Sequence, residues 1–109
     1  MYRQGDILIV PMPKKQFKRA RRRHPENGCV VLAYGEVTGH AHIMDADSVR
    51  LYDAYDDDGS IEEVLLVDET TLLTHDDHLP IRIPKGVYRV IHQREYSPRA
   101  FTGAVAVAD

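Results

Sequence analysis

Six histidines stand in a chain of 109 residues, and four of them fall in two short pairs. His40 and His42 form an H-x-H, and His75 and His78 bracket Asp76 and Asp77. On a β-strand, residues i and i+2 point to the same face, so two imidazoles about 7 Å apart along the backbone can converge on one point. A turn with the spacing of His75 and His78 can aim both rings the same way. Neutral imidazole is available near pH 7 and is a common ligand for zinc, iron, nickel and copper. If the two pairs meet across a β-barrel, they build a site of three or four nitrogens for a divalent transition metal such as Zn, Fe, Ni or Mn. Asp45, Asp47, Asp76 and Asp77 stand close enough in sequence to complete the shell or orient the rings. The plain alternative is that these histidines are polar residues of loops and exposed strand faces. Without metal, the same imidazoles and the tyrosines offer acid–base chemistry on a phosphodiester, with Arg82, Arg89 or Arg94 holding phosphate. His24 and His92 lie outside both pairs and have no part in either scheme.

A second group of residues is defined by charge. The formal net charge is only −3. Half of the fourteen Lys and Arg nevertheless crowd into one run, Lys14, Lys15, Lys18, Arg19, Arg21, Arg22 and Arg23, while Asp45 to Glu63 holds eight acids against Arg50. A dense basic run can displace condensed counterions from a nucleic-acid backbone. It can equally be a solvated loop docked on the chain's own acidic face. Phe17 is its only aromatic residue, so it offers no platform for stacked bases. As a helix it would have no apolar stripe to bury, and a flexible loop is the expectation.

The elements that must position these groups read as strands. Asp6 to Val10 is apolar and β-branched and stops at Pro11 and Pro13. Pro25-Glu26-Asn27-Gly28 is a turn, and Cys29 to Tyr34 a second strand. Gly35 and Gly39 flank a bend, after which His40 to Met44 reads as strand. Val49 to Tyr55, Glu63 to Val67, Pro80 to Pro84 and Val87 to Gln93 follow; Glu69 to Leu73 suits either a strand or a turn. Short strands every 8 to 12 residues, with turns between, describe an all-β sandwich or barrel. No stretch carries an apolar helical stripe with caps. The length suits one domain, 1–109, with a basic loop at 13–27 and a mobile tail at 98–109.

Other chemistries find no support in the sequence. One cysteine, Cys29, cannot form an internal disulfide and favours a reducing, cytoplasmic setting. Nothing matches cysteine-based zinc spacings. The seven glycines form no phosphate loop, and no serine sits in a nucleophile elbow. No apolar run approaches the roughly 20 residues of a bilayer span, and the N-terminus does not read as a secretory signal. A same-face pair of Arg89 and Glu95 after the last strand reads as a structural ion pair.

Gly35-Glu36-Val37-Thr38-Gly39-His40-Ala41-His42, followed by Ile83-Pro84-Lys85-Gly86-Val87-Tyr88, resembles the two-part pattern of cupins, small β-barrels that hold a metal in the barrel mouth. The resemblance implies a metal-binding barrel. It puts Asp47 where the family has a glutamate and Arg89 where it has a second-motif histidine, so His75 or His78 would have to replace that ligand. Over nearly its full length the chain also resembles a family of short bacterial and phage proteins. These carry R-Q-G-D (here Arg3 to Asp6), G-E-V-T-G-H-A-H (Gly35 to His42) and H-x-P-I-x-I-P-x-G-x-Y-R-V-x-x-Q-R-E-Y-x-P (His78 to Pro98). That likeness implies a shared fold and brings no activity with it. Gln4 to Pro11 also resembles, over a few residues, the first strand of SH3-like toxins that cut RNA.

The sequence therefore predicts a single all-β domain, cupin-like, with His40, His42, His75 and His78 as metal ligands. Thr38, Asp47 and Tyr88 would stand behind them. An open coordination position would take a small-molecule ligand or activate water; whether the chain is an enzyme is left open. The alternative is a nucleic-acid-associated module that works through the Lys14 to Arg23 arm. Exposed sheet edges make a homodimer the expected assembly, with no membrane partner.

Overall fold

The computed structural model describes residues 1–13, 17–35 and 39–93. Within them lie ten strands: β1 (Tyr2–Gln4), β2 (Ile7–Pro11), β3 (Arg19–Arg22), β4 (Cys29–Tyr34), β5 (Ala41–Asp45), β6 (Val49–Tyr55), β7 (Ile61–Val67), β8 (Thr71–His75), β9 (His78–Ile83) and β10 (Gly86–His92). Among the described residues no helix is long and apolar enough to cross a membrane.

The strands form two antiparallel sheets. One has six strands in the order β1-β2-β10-β7-β6-β3, and the other has four in the order β4-β5-β8-β9. Alternation along each strand decides what lies between them. Ile7 and Ile9 of β2, Val49 and Leu51 of β6, Leu65 and Val67 of β7, and Tyr88 and Val90 of β10 supply one inner face. Val30 and Leu32 of β4, Met44 of β5, Leu73 of β8 and Ile83 of β9 supply the other. All belong to one buried cluster, so the all-β expectation holds and its form is a sandwich. The barrel does not form, because each sheet keeps free edges and ladder bonding does not run on from one sheet into the other.

Three elements differ from the sequence reading. Arg19–Arg22 is an edge strand paired with β6, from Arg19 opposite Tyr55 to Arg22 opposite Tyr52, and not part of a flexible loop. Its four side chains are exposed, so no hydrophobic alternation announces it. Tyr2–Gln4 pairs with Ile7–Ile9 through the two-residue turn Gly5-Asp6, where Gly5 has φ of 62°. The undecided stretch around residues 69–73 is a strand, Thr71–His75, in a hairpin with β9. Its ladder shifts between Leu73 and His75, which lets His75 face His78 across the turn. The tail at 98–109 lies outside the described residues, as do Arg94 and Glu95.

Leu65 is fully buried between the sheets. Leu65→Ala is expected to cost about 2–5 kcal/mol, seen as a lower urea midpoint at unchanged slope. Leu72→Ala, at a position 49% exposed, should stay within about 0.5 kcal/mol of wild type.

Candidate functional site

The four histidines meet at one end of the sandwich. His42 lies on the inward row of β5, two residues before Met44, and is only 2% exposed. The ladder that sets Ile43 against Thr74 carries His42 toward His75 on β8. The ring centroids of His42 and His75 are 4.3 Å apart, those of His75 and His78 are 4.7 Å apart, and those of His42 and His78 are 5.7 Å apart. His40 stands just before β5, its ring edge-on to His75 at 5.9 Å. Two imidazoles ligating one tetrahedral ion through bonds of about 2.1 Å have centroids about 5 Å apart. The His42–His75 and His75–His78 spacings lie close to that figure; the His42–His78 and His40–His75 spacings are wider.

The donor atoms are only partly arranged for that task. Among the described residues, no group of three or more His, Cys, Asp or Glu side chains is arranged so that it could hold a metal ion. His75 shows why. Its Nδ1 accepts the backbone N–H of Asp77 at 3.0 Å, so in the neutral ring the proton sits on Nε2. That nitrogen faces Gly35 beside His40 as a donor, where a metal needs a lone pair. His40 is set up the other way. Its Nδ1–H donates to the Asp77 carboxylate at 2.8 Å, and its Nε2 lies 3.5 Å from Asp76. Asp76 and Asp77 thus do orient the rings, as the sequence suggested; Asp45 sits at the far end of β5, its carboxylate capping the turn amide of Asp47.

The first hairpin packs against the cluster with residues the sequence reading left without a role. Gln4 is 2% exposed, and its side-chain oxygen meets His42 Nδ1 at 2.9 Å. Its amide nitrogen donates to the carbonyls of Leu73 and Leu79, each at 3.0 Å. Asp6 Oδ1 lies 3.7 Å from His42 Nε2. Gly5 is required twice over. Its φ of 62° disfavours a side chain, and an added Cβ would stand 2.8 Å from His78 Nε2 and 3.4 Å from His42 Cε1. Gly35 makes the same room on the other side, where a Cβ would lie 3.1 Å from His75 Nε2.

Burial and the neighbouring imidazoles of His75 and His78 hold the His42 pKa down to about 4, against the upward pull of Asp6, so the ring is neutral at pH 7. His92, set aside in the sequence reading, also pushes it down. His92 closes β10 opposite Ile7, and its Nε2 lies 2.9 Å from Glu63. Arg23 holds Glu63 at 3.2 Å and forks onto Asp53 at 2.9 to 3.2 Å. The bond to Asp53, chiefly, raises the Arg23 pKa. A relay Asp53–Arg23–Glu63–His92 therefore runs beside the histidine cluster. Its members come from four separated stretches of the chain, and no local motif marks them.

The remaining expected residues lie elsewhere. Asp47 is exposed in the turn between β5 and β6, beyond the far end of β5 from His40 and His42. Tyr88 is buried; its hydroxyl donates to the Pro84 carbonyl at 2.7 Å, and its ring meets Tyr2 edge-on. Neither has a described contact with the four imidazoles. Thr38, Lys14 and Lys15 lie outside the described residues. Lys18, Arg19, Arg21 and Arg22 are exposed on or beside β3, with the Arg19 guanidinium 4.7 Å over the Tyr55 ring. Arg23 is engaged by the chain's own acids, as a docked basic segment would be. Arg89 approaches Glu62 at 3.6 Å and is 44% exposed at its side chain, so it takes no part in the cluster.

Two outcomes follow for the chelator-treated protein. His42 binds a proton near pH 6.5 when unfolded but only near 4 when folded. Its contribution to stability is complete above pH 6.5 and is lost as pH falls toward 4, by an amount on the order of 2 kcal/mol. Urea midpoints measured across this window should fall in wild type and flatten in His42→Asn. Gly5→Ala should destabilise by about 1–3 kcal/mol and shift the His78 side-chain resonances, since strain and crowding act together there.

Comparison with curated proteins and with solved structures returns no significant match. Among protein families, the model described as Domain of unknown function (DUF8820) matches residues 3–93, a span that takes in the first hairpin, all four clustered histidines and His92, and the chain belongs to that family.

Proposed function

We propose that the histidine end of the sandwich binds a divalent transition metal, with His40, His42, His75 and His78 as its ligands. The observation that supports this is the clustering of four imidazoles from two distant parts of the chain: His75 and His78 stand against the buried ring of His42, and His40 stands edge-on to His75. Nitrogen donors of this kind suit zinc, nickel, copper and iron better than magnesium or calcium. His42 would ligate through Nε2, because Gln4 engages its Nδ1, and His40 through Nε2, because Asp77 engages its Nδ1. His75 would first have to move its proton from Nε2 and release the Asp77 amide. A metal held at a site with an open position would polarise a bound oxygen or make bound water acidic near neutral pH. The reading keeps from the cupin resemblance a metal at one end of a β-structure, with the two β8–β9 histidines in place of a second-motif ligand.

Elemental analysis and calorimetric titration of untagged protein with Zn²⁺ and Ni²⁺ test the proposal. About one equivalent should bind, and saturation at 100 times Kd should add about 2.7 kcal/mol of stability. His42→Ala and His75→Ala should each weaken binding at least tenfold. Absence of binding, or affinity unmoved by both variants, would sink it.

The exposed basic edge strand favours a second reading, in which β3 binds nucleic-acid phosphates. Its affinity should fall steeply with salt, and replacing Arg19, Arg21 and Arg22 by serine should reduce the salt slope by about one for each phosphate no longer neutralised. A slope unchanged in that variant would remove β3 from any such interface.

A further inference from the structure

We infer that Gln4 is a positioning residue that locks neutral His42 in the tautomer protonated on Nδ1, so that in this form Nε2 presents its lone pair to the histidine centre. The argument starts from the glutamine amide. One of its terminal atoms lies 3.0 Å from two backbone carbonyl oxygens, those of Leu73 on β8 and Leu79 on β9. Only the NH₂ group satisfies both; an oxygen there would face two other oxygens. The amide is thereby oriented, and Oε1 is left pointing at His42 Nδ1 across 2.9 Å. Oε1 has no hydrogen to give, so Nδ1 must carry one.

Water cannot undo the arrangement, because both residues are 2% exposed. A buried glutamine oxygen facing a bare ring nitrogen would leave two acceptors unpaired, at a cost of the order that enforces pairing elsewhere in protein interiors. Free neutral histidine prefers its proton on Nε2, so the fold selects the minor form. In the neutral ring the proton on Nδ1 leaves Nε2 with the lone pair. Around that atom stand Asp6 Oδ1 at 3.7 Å and the hairpin at Gly5. A lone pair beside a carboxylate accepts a cation or an N–H or O–H donor and repels an anion. The chemical class that His42 can take is thus a Lewis acid or a hydrogen-bond donor. Phosphate or a carboxylate substrate would not be held through this nitrogen. The assignment of that ligand as a metal rests on the function proposed above; the tautomer does not.

Two variants separate positioning from mere support of the fold. Gln4→Met removes donor and acceptor together. Gln4→Glu keeps an acceptor opposite Nδ1. Both should lose stability, since both disturb the pairing of the Leu73 and Leu79 carbonyls. Long-range ¹H–¹⁵N correlation of the chelated protein at mildly alkaline pH shows which ring nitrogen of His42 carries the proton. Nδ1 should be protonated in wild type and in Gln4→Glu, while Gln4→Met should populate the Nε2-protonated form. Zn²⁺ affinity should fall about 10–100-fold in Gln4→Met and recover most of that in Gln4→Glu. A wild-type His42 protonated on Nε2 overturns the inference without any variant having to fold. So does a His42 tautomer that Gln4→Met leaves unchanged. Wild-type protein that takes up no Zn²⁺ but shows the Nδ1-protonated ring supports the inference and removes the metal reading alone.

Discussion

One buried amide joins the two sheets at the end where the histidines gather. Gln4 belongs to the six-stranded sheet through β1, and among the described residues its side chain bonds across to the other sheet: to His42 on β5, to Leu73 on β8 and to Leu79 on β9. Elsewhere the sheets adhere through Leu, Ile and Val, which drive burial but impose no direction. A glutamine in the same interface is different. Its donors and acceptor must all be met, so it accepts one relative placement of the strands and refuses neighbouring ones. Among the described residues, no buried side-chain nitrogen or oxygen is left without a partner. The core thus admits a polar group at one end without the penalty that an unpaired one would bring.

That constraint also explains why an imidazole can stand on a core row next to Met44. A charged His42 would be desolvated beside two other histidines, so it stays neutral, and a neutral ring has one proton to place. Gln4 settles where. The neighbouring rings are settled by backbone and carboxylate groups of a single tight turn: Asp77 accepts from His40 through its side chain and donates to His75 through its amide. The result is a cluster of mixed polarity: as neutral rings, His42 turns a bare Nε2 toward it and His75 a protonated one, while His40 stands between the carboxylates of Asp76 and Asp77. If a cation occupies this end as proposed, His75 has to change its tautomer and release the amide of Asp77, an exposed turn residue.

The His75–His78 pair was legible because turn spacing acts locally, and the all-β pattern gave the histidines a sheet to meet across. Strand parity did not place His40, which lies just before β5 and meets His75 rather than His42. Gln4 was not legible. A lone glutamine in a three-residue strand has no periodicity, and its role arises from carbonyls on β8 and β9 that are distant in sequence. The Asp53–Arg23–Glu63–His92 relay was hidden for the same reason. β3 was hidden by composition: a strand whose side chains are all charged or small and exposed looks like a loop to any argument built on hydrophobic alternation. The choice between barrel and sandwich was beyond local reasoning, since it turns on whether the outer strands bond to each other. Asp47 entered by its nearness in sequence to the H-x-H and by the cupin pattern, and Tyr88 as a residue behind the ligands; here the polypeptide carries them to a turn and to an apolar cluster.

β3 also shows how the uneven charge of the chain is put to structural use. An exposed edge strand invites pairing with another chain, and a row of arginines discourages it by electrostatic repulsion between copies. On the inner side the register sets Arg21 opposite Asp53, and Arg23 just beyond reaches Asp53 and Glu63. The acidic stretch centred on β6 would repel itself if left alone; the basic strand laid along it removes that repulsion. Through Glu63 the same pairing fixes His92, whose charge state the histidine cluster senses. A segment that reads in isolation as an arm for a polyanion is, in part, the counter-charge of its own neighbour.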